Sequence, residues 1–391
     1  MKTEVAIIGA GPAGLFLAHL LKQRGIESVV LESRSRAYAE GRVRAGVLEV
    51  GTIDTLNRLG LGERMMRESL DDDGLSMRFR GRTIRLDLPA LTGRGVKIYG
   101  QQEVVKDLIA ARVSAGDPLL FEAGVLWLEG VGTSSPRVHY RHDGENKVLD
   151  CVFIAGCDGF HGVSRAAVPA SVTNTYTRHY DFSWLGVLVK APPLPDMTYA
   201  NHDRGFALCS RRSMSVSRLY LQVPSTDRAE DWSEARIWDE LHTRMFDDSR
   251  AEIQEGEIFQ RDMAQLRAYI ASPMQYGRLF LAGDAVHIVP PTGAKGLNMA
   301  VADARVLARG MADYFSGGKT TELDRYTEQC LLRVWKTIRY SAHMTGLLHR
   351  FAEHSPFDRG MQLAELEYIA TSEAAQRSIA QQYVSLSDVT D

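Results

Sequence analysis

Six residues near the start, Gly9-Ala10-Gly11-Pro12-Ala13-Gly14, constrain the fold of this chain more than any other stretch. They follow the apolar run Val5-Ala6-Ile7-Ile8 and precede apolar residues at helical spacing from Leu15 to Arg24. Ser28-Val29-Val30-Leu31-Glu32 then reads as a second strand, which makes a βαβ unit. In that setting the glycine spacing suits a dinucleotide. Gly9 permits the tight turn, Gly11 lets a pyrophosphate approach bare backbone, and Gly14 lets helix and strand pack closely. Glu32, at the end of the second strand, is placed to take a pair of ribose hydroxyls. The unit implies a parallel α/β sheet and leaves open which dinucleotide it holds.

A length of 391 residues suggests two domains or three. A net charge of -3 gives no electrostatic reason to expect nucleic acid or an anionic membrane as partner. No apolar run of about 18 residues predicts a membrane span, and Gly and Pro interrupt the apolar start before a signal sequence could form. Cys151, Cys157, Cys209 and Cys330 show no metal or redox spacing and read as reduced thiols of a cytoplasmic protein. Val104 to Arg112 reads as a helix, Pro89 to Gly95 as a loop, and Asp143-Gly144 as the turn of a hairpin. The pattern becomes strand-rich from Phe182 to Val223 and helical again after Asn298. A sheet between two α/β stretches suggests a nucleotide domain with a substrate domain inserted into it.

Two more segments carry chemistry. Asp158-Gly159 follows the apolar strand Val152-Phe153-Ile154; alone it would pass for an ordinary turn. The strand Arg278-Leu279-Phe280-Leu281 runs into Gly283-Asp284, Pro290 and Pro291 then stiffen the chain, and Gly293 and Gly296 free it before a helix at Leu297. Bare N–H groups at that helix start suit an anion or an electron-rich ring edge. With a carboxylate upstream for hydroxyls, the segment describes a loop around the polyol and ring of a flavin. Arg42 and Arg44, one residue apart on an extended stretch, share a face where a diphosphate fits; a solvated basic face has the same pattern. Alternation also puts Ser210 with Arg212, and Arg218 with Tyr220 and Gln222, on strands joined through Ser213. An arginine fork with hydroxyl donors fits an aromatic carboxylate, although a polar sheet face in water reads the same way.

Taken together, Gly9 to Gly14, Asp158-Gly159 and Gly283-Asp284 resemble the three fingerprints of the class A flavoprotein aromatic hydroxylases. The blocks Gly41 to Glu49, Tyr99-Gly100-Gln101, Tyr199 to His202 and Pro290 to Gly296 narrow the resemblance to the 4-hydroxybenzoate branch, over nearly the whole chain. The resemblance implies a mixed α/β (α+β) fold: a Rossmann-like FAD-binding domain, an inserted β-sheet substrate domain and C-terminal helices. The expected limits are 1–73, 97–179 and 268–345 for FAD binding, 74–96 and 180–267 for the substrate sheet, and 346–391 for the helical end. It further implies non-covalent FAD held by Gly9, Gly11, Ala13, Gly14, Glu32, Arg42, Val43, Arg44, Ala45, Gly46, Val47, Gln101, Asp158, Gly159, Arg218, Asp284, Lys295, Leu297 and Asn298. The flavin is expected to swing, with Arg44 and Arg218 controlling it.

For the substrate, the resemblance implies a carboxylate bound by Ser210, Arg212 and Tyr220, and a ring contacted by the Pro291 carbonyl. Its phenolic oxygen bonds to Tyr199, which bonds to Tyr383. NADPH or NADH, bound over Arg34, Tyr38, His161 and Arg165, reduces the flavin; Arg34 and Arg36 suit a 2′-phosphate while Glu40 opposes one. Dioxygen then gives a flavin hydroperoxide that hydroxylates the substrate phenolate at position 3, yielding 3,4-dihydroxybenzoate. A homodimer, with no metal, belongs to the same expectation. The chain departs from the family at Asp72, where the proton relay usually ends in histidine. An ordinary carboxylate there, with a pKa of about 3.9 in place of about 6.5, would change the pH dependence of phenolate formation. Alternatives are a sister hydroxylase for another para-substituted benzoate, such as 4-aminobenzoate, and a flavin redox sensor without turnover.

Overall fold

The computed structural model describes residues 1–44, 46–246 and 253–385. Ala45, expected among the FAD residues, lies outside them. Val5–Ile8, Ser28–Leu31, Phe153–Gly156 and Leu279–Leu281 are parallel neighbours in a six-stranded sheet. Leu119–Leu120 flanks one side of it and the antiparallel Gln275–Tyr276 the other. The central strands are buried throughout, as parallel strands covered on both faces must be. Helices Pro12–Lys22 and Gly296–Gly317 pack together on this sheet. Consequently the three motifs leave the carboxyl ends of three adjacent strands, at Ile8, Gly156 and Leu281. Open α/β sheets bind ligands at that edge.

An eight-stranded sheet runs in the order His287–Ile288, Ile258–Ser272, Asn174–Val189, Ser217–Pro224, Ala207–Arg211, Met197–Asn201, Gly74–Phe79, Arg82–Asp87. One face, with Ala200, Ala207, Cys209, Leu219 and Leu221, is covered by helix Glu234–Met245. The other face, with Met77, Tyr199, Phe206 and Leu208, packs against residues of helices Tyr326–Leu348, Pro356–Thr371 and Glu373–Tyr383. A strict period of two in these strands makes both coverings possible at once. Leu70–Asp72 belongs to a separate small sheet with Val96–Ile98 and Val47–Leu48.

The helix expected from Val104 spans Gln101–Ser114, and the hairpin pairs Arg137–His142 with Glu145–Asp150 through left-handed Asp143 and Gly144. One expectation is corrected. Pro89 to Gly95 is not all loop, because Leu88–Thr92 forms a helical turn. Asp87 accepts the Ala90 N–H at 2.9 Å, Pro89 sits in the first turn, and left-handed Gly93 ends it. Among the described residues no helix is long and apolar enough to cross a membrane.

Candidate active site

At the nucleotide end, the three glycines do different work. A Cβ on Gly9 would lie 2.4 Å from the Cys157 carbonyl oxygen, and one on Gly14 2.1 Å from that of Gly9. A Cβ on Gly11 would meet nothing within 4 Å. Gly9 and Gly14 therefore permit packing, while Gly11 leaves open space above an uncapped helix start. Glu32 lies over this turn: its carboxylate accepts the Ala10 and Arg34 amides, each at 2.8 Å. Ala13 is buried against the third motif, 3.2 Å from where a Gly283 side chain would begin.

In that motif Gly283 takes a left-handed φ of 62° and Asp284 is exposed behind it. The Gly283 N–H donates to Asp303 at 3.0 Å. Asp303, fully buried, also bonds His287 and Arg333 at 2.6 Å each. Burial raises its carboxyl, but these partners outweigh burial and hold it below the usual range. Helix Gly296–Gly317 starts without a side-chain cap, which leaves the amides around Leu297 free for a ligand. Open backbone at Gly11, two uncapped helix starts at one sheet edge, and exposed Arg42 and Arg44 fit a bound FAD. Gly46 has no room for a side chain against Tyr99 and Gly100, and its carbonyl accepts the Tyr99 amide at 2.7 Å, one residue before Gly100-Gln101; Val43 is half-buried and Val47 buried.

Several expected FAD contacts are engaged within the protein. The Lys295 ammonium binds Glu49 at 2.5 Å, the carbonyls of Gln382 and Tyr383 at 2.7 Å each, and the Ser385 hydroxyl. It therefore fastens the C-terminal helix to the flavin loop rather than reaching toward a ligand. The Asn298 side chain accepts from Thr52 and Glu49 and donates to the Val47 carbonyl, so only its backbone is left for a cofactor. Asp158 turns onto the amide and hydroxyl of Ser164, both at 2.9 Å, beside Gly159. Arg165, expected at the nicotinamide nucleotide, bonds the carbonyls of Ala285 and Phe160 at 2.8 and 2.7 Å. His161 stays exposed, and exposed Arg34 lies over the Tyr38 ring. Glu40, expected to oppose a 2′-phosphate, is paired with Arg36 at 2.6 Å.

The substrate end is one face of the eight-stranded sheet. Register aligns Met77, Tyr199, Leu208, Tyr220, Gly186 and Asp262 in a row across six strands. Ser210 and Arg218 sit opposite each other one step along, and Arg212 follows. A side chain on Gly186 would collide with Tyr220 and Asp262, so its absence seats the Tyr220 ring. Arg218 pairs with Asp262 at 3.2 Å and lies over Tyr220. Electrostatic coupling of Arg44 to Arg218, Asp262 and Asp284 joins this face to the nucleotide edge. The Arg212 guanidinium contacts the Arg44 carbonyl at 3.1 Å and the Gln102 side chain.

The tyrosine relay differs from expectation. Tyr199 donates to the carbonyl of Thr292 at 2.7 Å, not to Tyr383, because the turn Pro291–Gly293 brings that carbonyl onto the hydroxyl. The Pro291 carbonyl itself accepts the Ala294 amide. Tyr383 is 1% exposed and its hydroxyl has no partner. Burial raises both tyrosines above their ordinary range, which keeps them neutral.

Asp72 also departs from expectation. It is 1% exposed, and burial pushes its carboxyl up to about 6 although Arg211 binds it at 2.6 Å. The ordinary carboxylate value thus gives way to one near that of the histidine it replaces. A carboxyl with a raised pKa stabilises the fold below its unfolded value, and that advantage is lost as pH rises through about 6. At neutral pH the ionised form thus costs on the order of 3 kcal/mol. Glu49, Asp262, Thr292, Asp303 and Arg211 were not singled out from sequence. Each acts through a partner far along the chain, as Glu49 does through Lys295.

Comparison with known proteins places this geometry. A family model described as FAD binding domain matches residues 2–341. The p-hydroxybenzoate hydroxylase of Acinetobacter baylyi (strain ATCC 33305 / BD413 / ADP1) is 45% identical over 99% of this chain and 96% of its own. A 3-(3-hydroxy-phenyl)propionate/3-hydroxycinnamic acid hydroxylase of Mycobacterium avium (strain 104) is 26% identical over 81% of this chain and 56% of its own. Among solved structures, p-nitrophenol 4-monooxygenase from Pseudomonas putida DLL-E4 shares the fold at a TM-score of 0.80 and 18% identity, covering 98% of both chains. The chain belongs to the FAD binding domain family, among its flavin-dependent aromatic hydroxylases.

Proposed function

We propose that this enzyme hydroxylates 4-hydroxybenzoate at position 3, giving 3,4-dihydroxybenzoate, with non-covalent FAD, NADPH or NADH, and dioxygen. One observation carries the substrate: Tyr199 and Tyr220 flank Leu208 in a row on one sheet face, with Ser210 and Arg212 alongside. Two strand spacings separate the tyrosines, about 10 Å, which suits a para-substituted benzoate bonded at both ends. Arg212, with the Ser210 and Tyr220 hydroxyls, would take the carboxylate in exchange for its present contacts. The Tyr199 hydroxyl would meet the phenol, with Pro291 and Thr292 at the ring edge.

FAD, when bound, supplies the redox chemistry that turns dioxygen into an electrophilic oxygen donor. The protein orients the ring, excludes water and removes the phenolic proton. A phenolate enriches the ring carbon beside its oxygen, and anchoring at both ends presents that carbon. Neutral, buried Tyr199 and Tyr383 would pass a proton on rather than keep it. A homodimer and a cytoplasmic location remain part of the proposal; the exposed row Phe357, Met361 and Tyr368 on helix Pro356–Thr371 supports the former.

Oxygen consumption tests the class of activity. With FAD and NADPH or NADH present, 4-hydroxybenzoate is expected to accelerate oxygen uptake by at least about tenfold, which corresponds to about 1.4 kcal/mol of barrier. Uptake that ignores the aromatic acid would point to a flavin sensor without turnover.

A further inference from the structure

Arg211 and Arg212 are consecutive, yet they serve opposite sides of the sheet end. Arg212 reaches Arg44 and Gln102 beside the carboxylate site. Arg211 reaches the other way, and its Nη2 bridges the Asp71 carbonyl at 2.5 Å and the Asp72 carboxylate at 2.6 Å. One Asp72 oxygen is thereby fixed. The other, Oδ2, is buried and has no partner, as is the hydroxyl of Tyr383. Buried orphan acceptors and donors are rare in folded proteins, and each calls for a cause.

The surroundings of Asp72 hold little compensating charge, although the Met197 backbone amide also favours its ionised form. Asp196, ahead of strand Met197–Asn201, adds negative charge and is itself paired with Arg85 at 2.8 Å. Lys97, on the neighbouring strand, is taken by Asp71 at 2.6 Å. From the core side, Tyr199 and Tyr383 both feel the Asp72 charge. Arg211 is the cation in contact with it. Removing one partner of a buried ion pair leaves the other charge uncompensated.

On the hydroxylase reading above, we propose that Arg211 is the positioning residue of the proton outlet. It clamps Asp72 by one oxygen, keeps the carboxylate ionised beside the tyrosine pair, and leaves the second oxygen to accept the proton that the substrate phenol gives up. For the proton to leave, the Tyr199 hydroxyl turns from the Thr292 carbonyl toward the unpartnered Tyr383 hydroxyl, takes the proton of the substrate oxygen and hands its own on through Tyr383 to Asp72 Oδ2, and no covalent bond to carbon changes. The carboxylate titrating up near 6 suits an acceptor that works at neutral pH and releases its proton to water.

The test mixes oxidised, FAD-loaded enzyme with 4-hydroxybenzoate and follows phenolate absorbance and proton release by stopped flow from pH 5 to 9. In the parent, the release rate is expected to rise through a midpoint near 6. Arg211→Gln should raise that midpoint by about one to three pH units, since an adjacent cation lowers a carboxyl by about that much. Arg211→Lys should restore most of the shift, and Asp72→Asn should flatten the profile. An Arg211→Gln profile superimposable on the parent's overturns the role of Arg211 alone. If Arg211→Gln fails to fold or to hold FAD, a parent-like midpoint in Asp72→Asn overturns the proposal, and a flat profile there with an Arg211→Lys midpoint close to the parent's supports it. A parent that forms 3,4-dihydroxybenzoate yet releases no proton on binding the aromatic acid overturns the outlet alone, whereas a parent that forms no aromatic product overturns the hydroxylase reading.

Discussion

Tyr199→Phe is expected to keep FAD binding and flavin reduction by the nicotinamide nucleotide, yet form product at least about a hundredfold more slowly, the lower range for loss of a positioned acid–base group. The substitution removes one oxygen and leaves the ring, which packs tilted against Phe206, in place. Stability should fall by about 1 to 3 kcal/mol, because the buried Thr292 carbonyl loses its donor. What disappears is the hydroxyl that meets the phenol and starts its proton inward. The bound substrate then stays a phenol, its ring is a poorer nucleophile, and reducing equivalents leave as hydrogen peroxide. Product and peroxide measured side by side check this; tightly coupled hydroxylation in the variant would remove Tyr199 from the mechanism.

Gly14→Ala should have a comparable effect through binding. The added methyl would stand 2.1 Å from the Gly9 carbonyl oxygen, 3.1 Å from Ile7 and 3.3 Å from Cys157. The nearest of these atoms is backbone in the tightest turn of the nucleotide edge, so helix Pro12–Lys22 must move. Overpacking of this kind costs about 3 kcal/mol, and the displaced helix start loses its aim at the cofactor. FAD affinity is expected to drop by about a hundredfold or more, read by flavin fluorescence on titration. Gly11→Ala is the control: its methyl meets no protein atom within 4 Å, so any loss of affinity there reports the ligand's own need for space.

Features that depend on residue type at short range were legible in the sequence. The glycine fingerprint, the Gly283-Asp284 turn and the hairpin at Asp143-Gly144 each need a backbone conformation or an approach that few residues allow. Strand alternation likewise brought Ser210, Arg212, Arg218 and Tyr220 to one face, since a period of two survives any tertiary context. The helical turn Leu88–Thr92 escaped because its caps lie too close together to show a helical period. Long polar side chains were least legible. Lys295 and Asn298 sit in a flavin-like loop by sequence, yet their ends turn to Glu49, Thr52 and the C-terminal helix, partners about 90 to 250 positions away. Asp72 shows the same limit. Its carboxyl depends on burial and on Arg211, 139 positions on, and neither is written near it.

One sheet face, on the proposed function, binds a para-hydroxylated benzoate by its carboxylate and ionises its phenol. The decisive measurement incubates the FAD-loaded enzyme with NADPH or NADH, oxygen and, in turn, 4-hydroxybenzoate, 4-aminobenzoate and benzoate. Aromatic product is then identified and counted per nicotinamide nucleotide oxidised. The expected result is 3,4-dihydroxybenzoate from 4-hydroxybenzoate at close to one product per reductant, with little hydroxylation of the other two. Coupled product from 4-aminobenzoate but not from 4-hydroxybenzoate, or oxidation of reductant without aromatic product from any of them, would contradict it.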